Sequence, residues 1–174
     1  MDSNELLADA VGRIRDLVHS TIDHLDTAQL GWQPDEGGNS IGWLLWHLTR
    51  VQDAHVAEFL DDDQLWVRDG FATELGFEAD PTNSGYGHGS SEAAALRIVR
   101  PDRLIAYHDA VADRSLARLE TLDARAFDLV VDESWDPPVT EGVRWVSIVS
   151  DCLQHVGQAA YVRGLLTSRE NPAR

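Results

Sequence analysis

Apolar residues return at helical spacing in four long stretches of the chain. Leu7, Ala10, Val11, Ile14, Leu17, Val18, Ile22 and Leu25 form the stripe of an amphipathic helix over residues 7–25. Pro34, Gly37 and Gly38 break the pattern. Asn39-Ser40 then offers a cap for a second helix over 40–60. Pro101 suits a first helical position, and Leu104, His108, Val111, Leu119 and Leu122 mark one side of a third helix over 101–122. Thr140 can cap a fourth, running to about residue 168.

Residues 61–100 lack such a period. They hold the acidic run Asp61 to Asp63, a short helical stretch in "LWVRDGFATELGF", the glycine-rich "SGYGHG" and another helical turn or two in "SEAAALRIV". "FDLVVDESWDPPV" has room for a short extended piece ended by its paired prolines. The pattern predicts an all-α protein: one domain over 1–174, a four-helix bundle with a long crossover between helices two and three, and strand content near zero.

The 174 residues suffice for one core. A net charge of −16, with 30 acidic against 14 basic residues, all arginine, would repel phosphate backbones and anionic lipid head groups. Nucleic acid and membrane are therefore unexpected partners. A single cysteine, Cys152, cannot close an internal disulfide, and neither a signal-peptide pattern nor an 18-residue apolar run is present. A cytoplasmic protein is the expectation.

The fourth helix carries the chemistry. Asp151 and His155 stand four apart in "SDCLQHVGQAAYVRG", so a carboxylate and an imidazole share one face. Gln158 and Ser147 fall on the same face, and burying such groups without partners would cost about 1–3 kcal/mol each. His47, among apolar residues of the second helix, completes a two-histidine, one-carboxylate set able to hold a divalent metal. Spacing alone leaves the bland alternatives standing: a surface pair at 151 and 155, and a satisfied core histidine at 47. His55, two turns after His47, is a candidate for orienting a ligand or a bound water, as is Gln158 for contacting such a water. Arg50, one turn from His47, is a candidate for a substrate carboxylate, against a surface salt bridge. Trp43, Trp46, Trp135 and Trp145 could wall an apolar pocket, His88 sits in a flexible loop or lid, and Cys152 points off the metal face as packing.

"LGWQPDEGGNSIGWLLWHLTRVQDAH" followed about a hundred residues later by "RWVSIVSDCLQHVGQAAYVRG" resembles the DinB superfamily, in particular its mycothiol-dependent maleylpyruvate isomerase-like branch. The likeness covers the first 60 residues and the last 35; the middle is less specific. It implies a four-helix bundle holding zinc or nickel between a histidine of the second helix, at His47, and two ligands of the last, at Asp151 and His155. The position of Asp151 carries histidine or glutamate in that family, so aspartate is one methylene short of glutamate there. It further implies a thiol-dependent transferase or isomerase acting on a small electrophilic molecule, with mycothiol or another low-molecular-weight thiol as cofactor. Bacillithiol and plain hydrolysis stay open beside it. The reading from another class is a non-catalytic, stress-related helical module that binds metal or pairs as a homodimer.

Overall fold

The computed structural model describes residues 1–35 and 37–170. Four long helices form the bundle: α1 (Ser3–Ile22), α3 (Ile41–Leu60), α7 (Pro101–Thr121) and α8 (Glu141–Glu170). Short helices lie between them: α2 (Thr27–Leu30), α4 (Leu65–Arg68), α5 (Phe71–Leu75) and α6 (Ser90–Ala95). A 3-10 turn at Ala126–Asp128 precedes a small hairpin in which β1 (Val130–Asp132) pairs antiparallel with β2 (Val139–Thr140).

The helix boundaries follow from capping. Asp2 accepts from Glu5 N while the Glu5 carboxylate accepts from Asp2 N, so α1 begins four residues before its apolar stripe. It stops at Ile22, ahead of Leu25, because His24 takes a left-handed backbone. Ser40 Oγ accepts from Trp43 N to start α3, and Asp61 closes it with φ +48°. Thr140 Oγ1 accepts from Val143 N at the head of α8.

Cross-helix contacts fix the directions. His47 meets His155 and Phe59 meets Trp145, so α3 and α8 are antiparallel. Arg50 reaches Tyr107 and Gln52 reaches Ser115, so α3 and α7 are parallel. Asn4 bonds the Leu119 carbonyl while Arg15 pairs with Asp109, so α1 and α7 are antiparallel. The chain leaving α3 must therefore return along a helix of 20 residues, about 30 Å, before starting α7. That return is the physical reason for the long crossover.

The core takes Val11, Ile14 and Val18 of α1, Leu44, Trp46 and Leu48 of α3, Leu104, Tyr107 and Val111 of α7, and Trp145, Ile148, Cys152 and Val156 of α8. The inward face of α8 is thus the Trp145–Cys152–Val156 stripe. Asp151 and His155 stand on its half-buried flank, 31% and 20% exposed, while Ser147 and Gln158 are exposed. The polar stripe expected to turn inward is corrected: Asp151 and His155 take this seam position, where His47 of α3 meets His155, and Ser147 and Gln158 are exposed. No described helix is long and apolar enough to cross a membrane.

Candidate metal centre

The site is built where α3 and α8 face each other. His47 lies in the second turn of α3, 5% exposed, and its ring meets that of His155 edge to face at 4.7 Å between centroids. One donor atom from each of His47, Asp151 and His155 lies within 4.8 Å of the other two. His155 Nε2 is 3.5 Å from Asp151 Oδ1.

Hydrogen bonds select the tautomers. The Ser84 carbonyl can only accept, so the 2.6 Å contact makes His47 Nδ1–H the donor and leaves the lone pair on Nε2. His155 Nδ1 donates to the Gln158 amide oxygen at 3.0 Å, which again leaves Nε2 free. Asp151 Oδ2 is buried and finds no hydrogen-bond partner among the described residues. Such an orphaned carboxylate oxygen is costly unless something positive reaches it. The donor set, two neutral imidazoles and one carboxylate, fits a borderline divalent cation such as zinc or nickel.

Charge reinforces this arrangement. Burial holds His47 below the ordinary histidine value, outweighing the Ser84 bond. His155 is raised, first by the Asp151 carboxylate that faces its Nε2. A cation entering here meets one formal negative charge, that of Asp151.

The crossover forms the inner wall. Gly85 has φ +87° and is buried; a Cβ there would come within 2.8 Å of Trp46, 3.0 Å of His47 Nδ1 and 3.2 Å of Trp43. Trp43 stacks on His47, with centroids 4.7 Å apart and planes 14° apart. Its indole N–H donates to His88 Nδ1 at 3.3 Å, so His88 Nε2–H donates to Asn83 Oδ1 at 3.1 Å. The loop expected to be flexible, or a lid, is thereby tied down beside His47. The signal in the sequence was "NSGYGHG": a glycine with positive φ is what a backbone needs to approach an aromatic wall closely.

Other expectations are redistributed. Arg50 is not a surface salt bridge, and its hydrogen bonds go to other residues than His47, Asp151 and His155. It is fully buried, with its guanidinium 4.8 Å over the Trp66 ring. His55 lies outside the three-donor cluster, 3.5 Å from Glu58 and 3.4 Å from the Arg144 guanidinium; burial and then that charge lower it. Arg144 itself bonds Asp132 at 2.7 Å. Gln158 touches His155. Trp135 is 66% exposed and Trp145 packs on Phe59 while donating to Glu141, so of the four tryptophans only Trp43 and Trp46 border the site. Cys152 is buried with its thiol against the Leu48 carbonyl, and burial pushes that thiol well above its usual range, which disqualifies it as a nucleophile.

Residues 10–159 match the DinB superfamily. The chain belongs to the DinB superfamily. Membership supports a metal-binding helical domain. The fold is similar to that in the crystal structure of a conserved protein from Enterococcus faecalis, with a TM-score of 0.89 and 26% identity, covering 97% of this chain and 99% of that one. No curated protein matches the chain.

Proposed function

We propose that this DinB-superfamily chain holds a divalent cation, zinc or nickel, on His47, Asp151 and His155, and is a metal-dependent enzyme acting on a small electrophilic molecule. The observation that carries the reading is the convergence of three donor atoms within 4.8 Å while both Nδ1 atoms are engaged elsewhere. When bound, such a cation would supply a Lewis acid that lowers the pKa of a thiol or a water toward neutrality. The chain's own residues do the rest. Ser84 and Gln158 hold the imidazoles as neutral donors, Asp151 contributes the negative charge, and Trp43 and Gly85 exclude water from the rear of His47. A low-molecular-weight thiol of the mycothiol class is the co-substrate proposed, with transfer or isomerisation as the reaction.

Metal content measured after loading with zinc or nickel tests the first half. One equivalent in the wild type and none in His47→Ala or His155→Ala is expected; no stoichiometric metal in the wild type would end the proposal. Consumption of thiol with an electrophile by the loaded protein tests the second half.

A second reading, a non-catalytic module that pairs with its own copy, draws on the outer face of α8. Val143, Val146, Leu153 and Tyr161 are all exposed there, 54%, 63%, 43% and 69%. A concentration-dependent dimer without turnover of any electrophile by the loaded protein would favour it.

A further inference from the structure

The hydrogen bonds of the Arg50 side chain go to the crossover and to Tyr107, not to His47, Asp151 or His155. Nε donates to the Asn83 carbonyl at 3.3 Å, Nη2 to the Asp80 and Pro81 carbonyls at 3.4 and 3.0 Å, and Nη1 to Gln64 Oε1 at 2.7 Å and Tyr107 Oη at 3.3 Å. Three carbonyls within four residues thus end on one guanidinium. The next carbonyl but one after Pro81 that serves α3 is that of Ser84, and it takes His47 Nδ1–H. Residues 47 and 50 are one turn apart on the same helix, so clamp and ligand share a face.

We propose that Arg50 is a positioning residue for His47: by pinning the backbone of residues 80–83 it fixes the Ser84 carbonyl, and that carbonyl fixes the imidazole with its Nε2 lone pair toward Asp151 and His155. Freed of this acceptor, a buried imidazole has no reason to keep its proton on Nδ1, and the wrong tautomer presents N–H where a lone pair is required. A planar fork reaching several carbonyls at once is a task arginine performs and lysine does not. The consequence for metal affinity rests on the cation-site reading above; the consequence for the tautomer does not.

The test uses Arg50→Lys and Gln64→Leu, the latter removing the shortest bond to the guanidinium from a half-buried position while keeping the arginine. Circular dichroism reports whether each variant keeps its helix content. Imidazole 15N shifts, recorded without metal, report the His47 tautomer: Nδ1–H in the wild type, a mixture in Arg50→Lys, and a smaller change of the same kind in Gln64→Leu. Zinc titration against a chromophoric chelator is expected to show affinity about 10-fold to 100-fold weaker in Arg50→Lys. A folded Arg50→Lys protein with the wild-type tautomer overturns the inference. If that variant does not fold, an unchanged tautomer in Gln64→Leu overturns it. A wild type that binds no zinc sinks the metal reading alone, and the tautomer measurement still decides the role of Arg50.

Discussion

His47 and His155 meet edge to face, with planes at 84° and centroids 4.7 Å apart, and each has its Nδ1 bound to an acceptor of its own. Two imidazoles so arranged direct their remaining lone pairs without competing for one hydrogen bond. Saturating zinc should raise the melting temperature of the wild type, with about 2.7 kcal/mol of added stability at a concentration 100 times the dissociation constant. Asp151→Ala removes the only carboxylate of the set and should lose most of that gain. Calorimetric melting of both proteins with and without zinc checks it; equal shifts would place the binding elsewhere.

Gly85→Ala should damage the site more than its distance from the donor atoms suggests. The added Cβ needs space held by Trp46 and His47, at a φ of +87° that alanine resists. Stability is expected to fall by about 1–3 kcal/mol, and metal affinity to fall with it because the Ser84 carbonyl moves. Urea unfolding and zinc titration of one preparation read both.

Asp53 is a second organiser of the crossover. Its buried carboxylate accepts from Leu65 N at 3.0 Å, Trp66 N at 2.9 Å and Tyr107 Oη at 2.8 Å. Removing it strands two backbone N–H groups and leaves the guanidinium of Arg50, 3.9 Å away, without its countercharge. Asp53→Ala should cost about 3–5 kcal/mol in urea unfolding. A loss below 1 kcal/mol would mean that water replaces the carboxylate.

Acid should weaken the fold through His108. Its Nδ1 donates to Thr49 Oγ1 at 3.1 Å, its Nε2 is buried with no hydrogen-bond partner among the described residues, and burial pushes its pKa down from about 6.5 to about 4. The unfolded chain therefore takes up this proton first as pH falls. The contribution is complete above pH 6.5, declines between 6.5 and 4, and levels off below, with about 3 kcal/mol at stake. His108→Leu should flatten that leg in urea unfolding at pH 7, 6 and 5, and an unchanged slope would assign it to other groups.

The four long helices were legible because each carries its own apolar stripe, and three of them a cap or a first-turn proline, within a few residues of sequence. The i, i+4 pair of Asp151 and His155 was legible for the same reason, and His47 stood out as a histidine among core residues. The crossover and its short helices were legible in outline, at 65–75 and 90–95, but its path was not. Residues 61–100 have no period, and their course is decided by Arg50 and Asp53, whose acceptors and donors there lie 12 or more positions further along the chain. Arg50 read as a surface residue because arginines usually are; it is buried here because the crossover covers its side of α3. His55 read as a neighbour of the ligands from its spacing, but Arg144 and Glu58 engage it instead.

Periodicity, capping residues and ligand-competent side chains are properties of short stretches, and the sequence alone determined those: an all-α bundle with histidine and aspartate on two of its helices. Which flank of α8 is half-buried, which nitrogen of each imidazole keeps its lone pair, and which glycine must stay bare are settled only by the tertiary structure. The helical period of α8 does not say which neighbours its flanks meet, and the acceptor and walls at His47 come from residues near 84, some 37 positions along the chain.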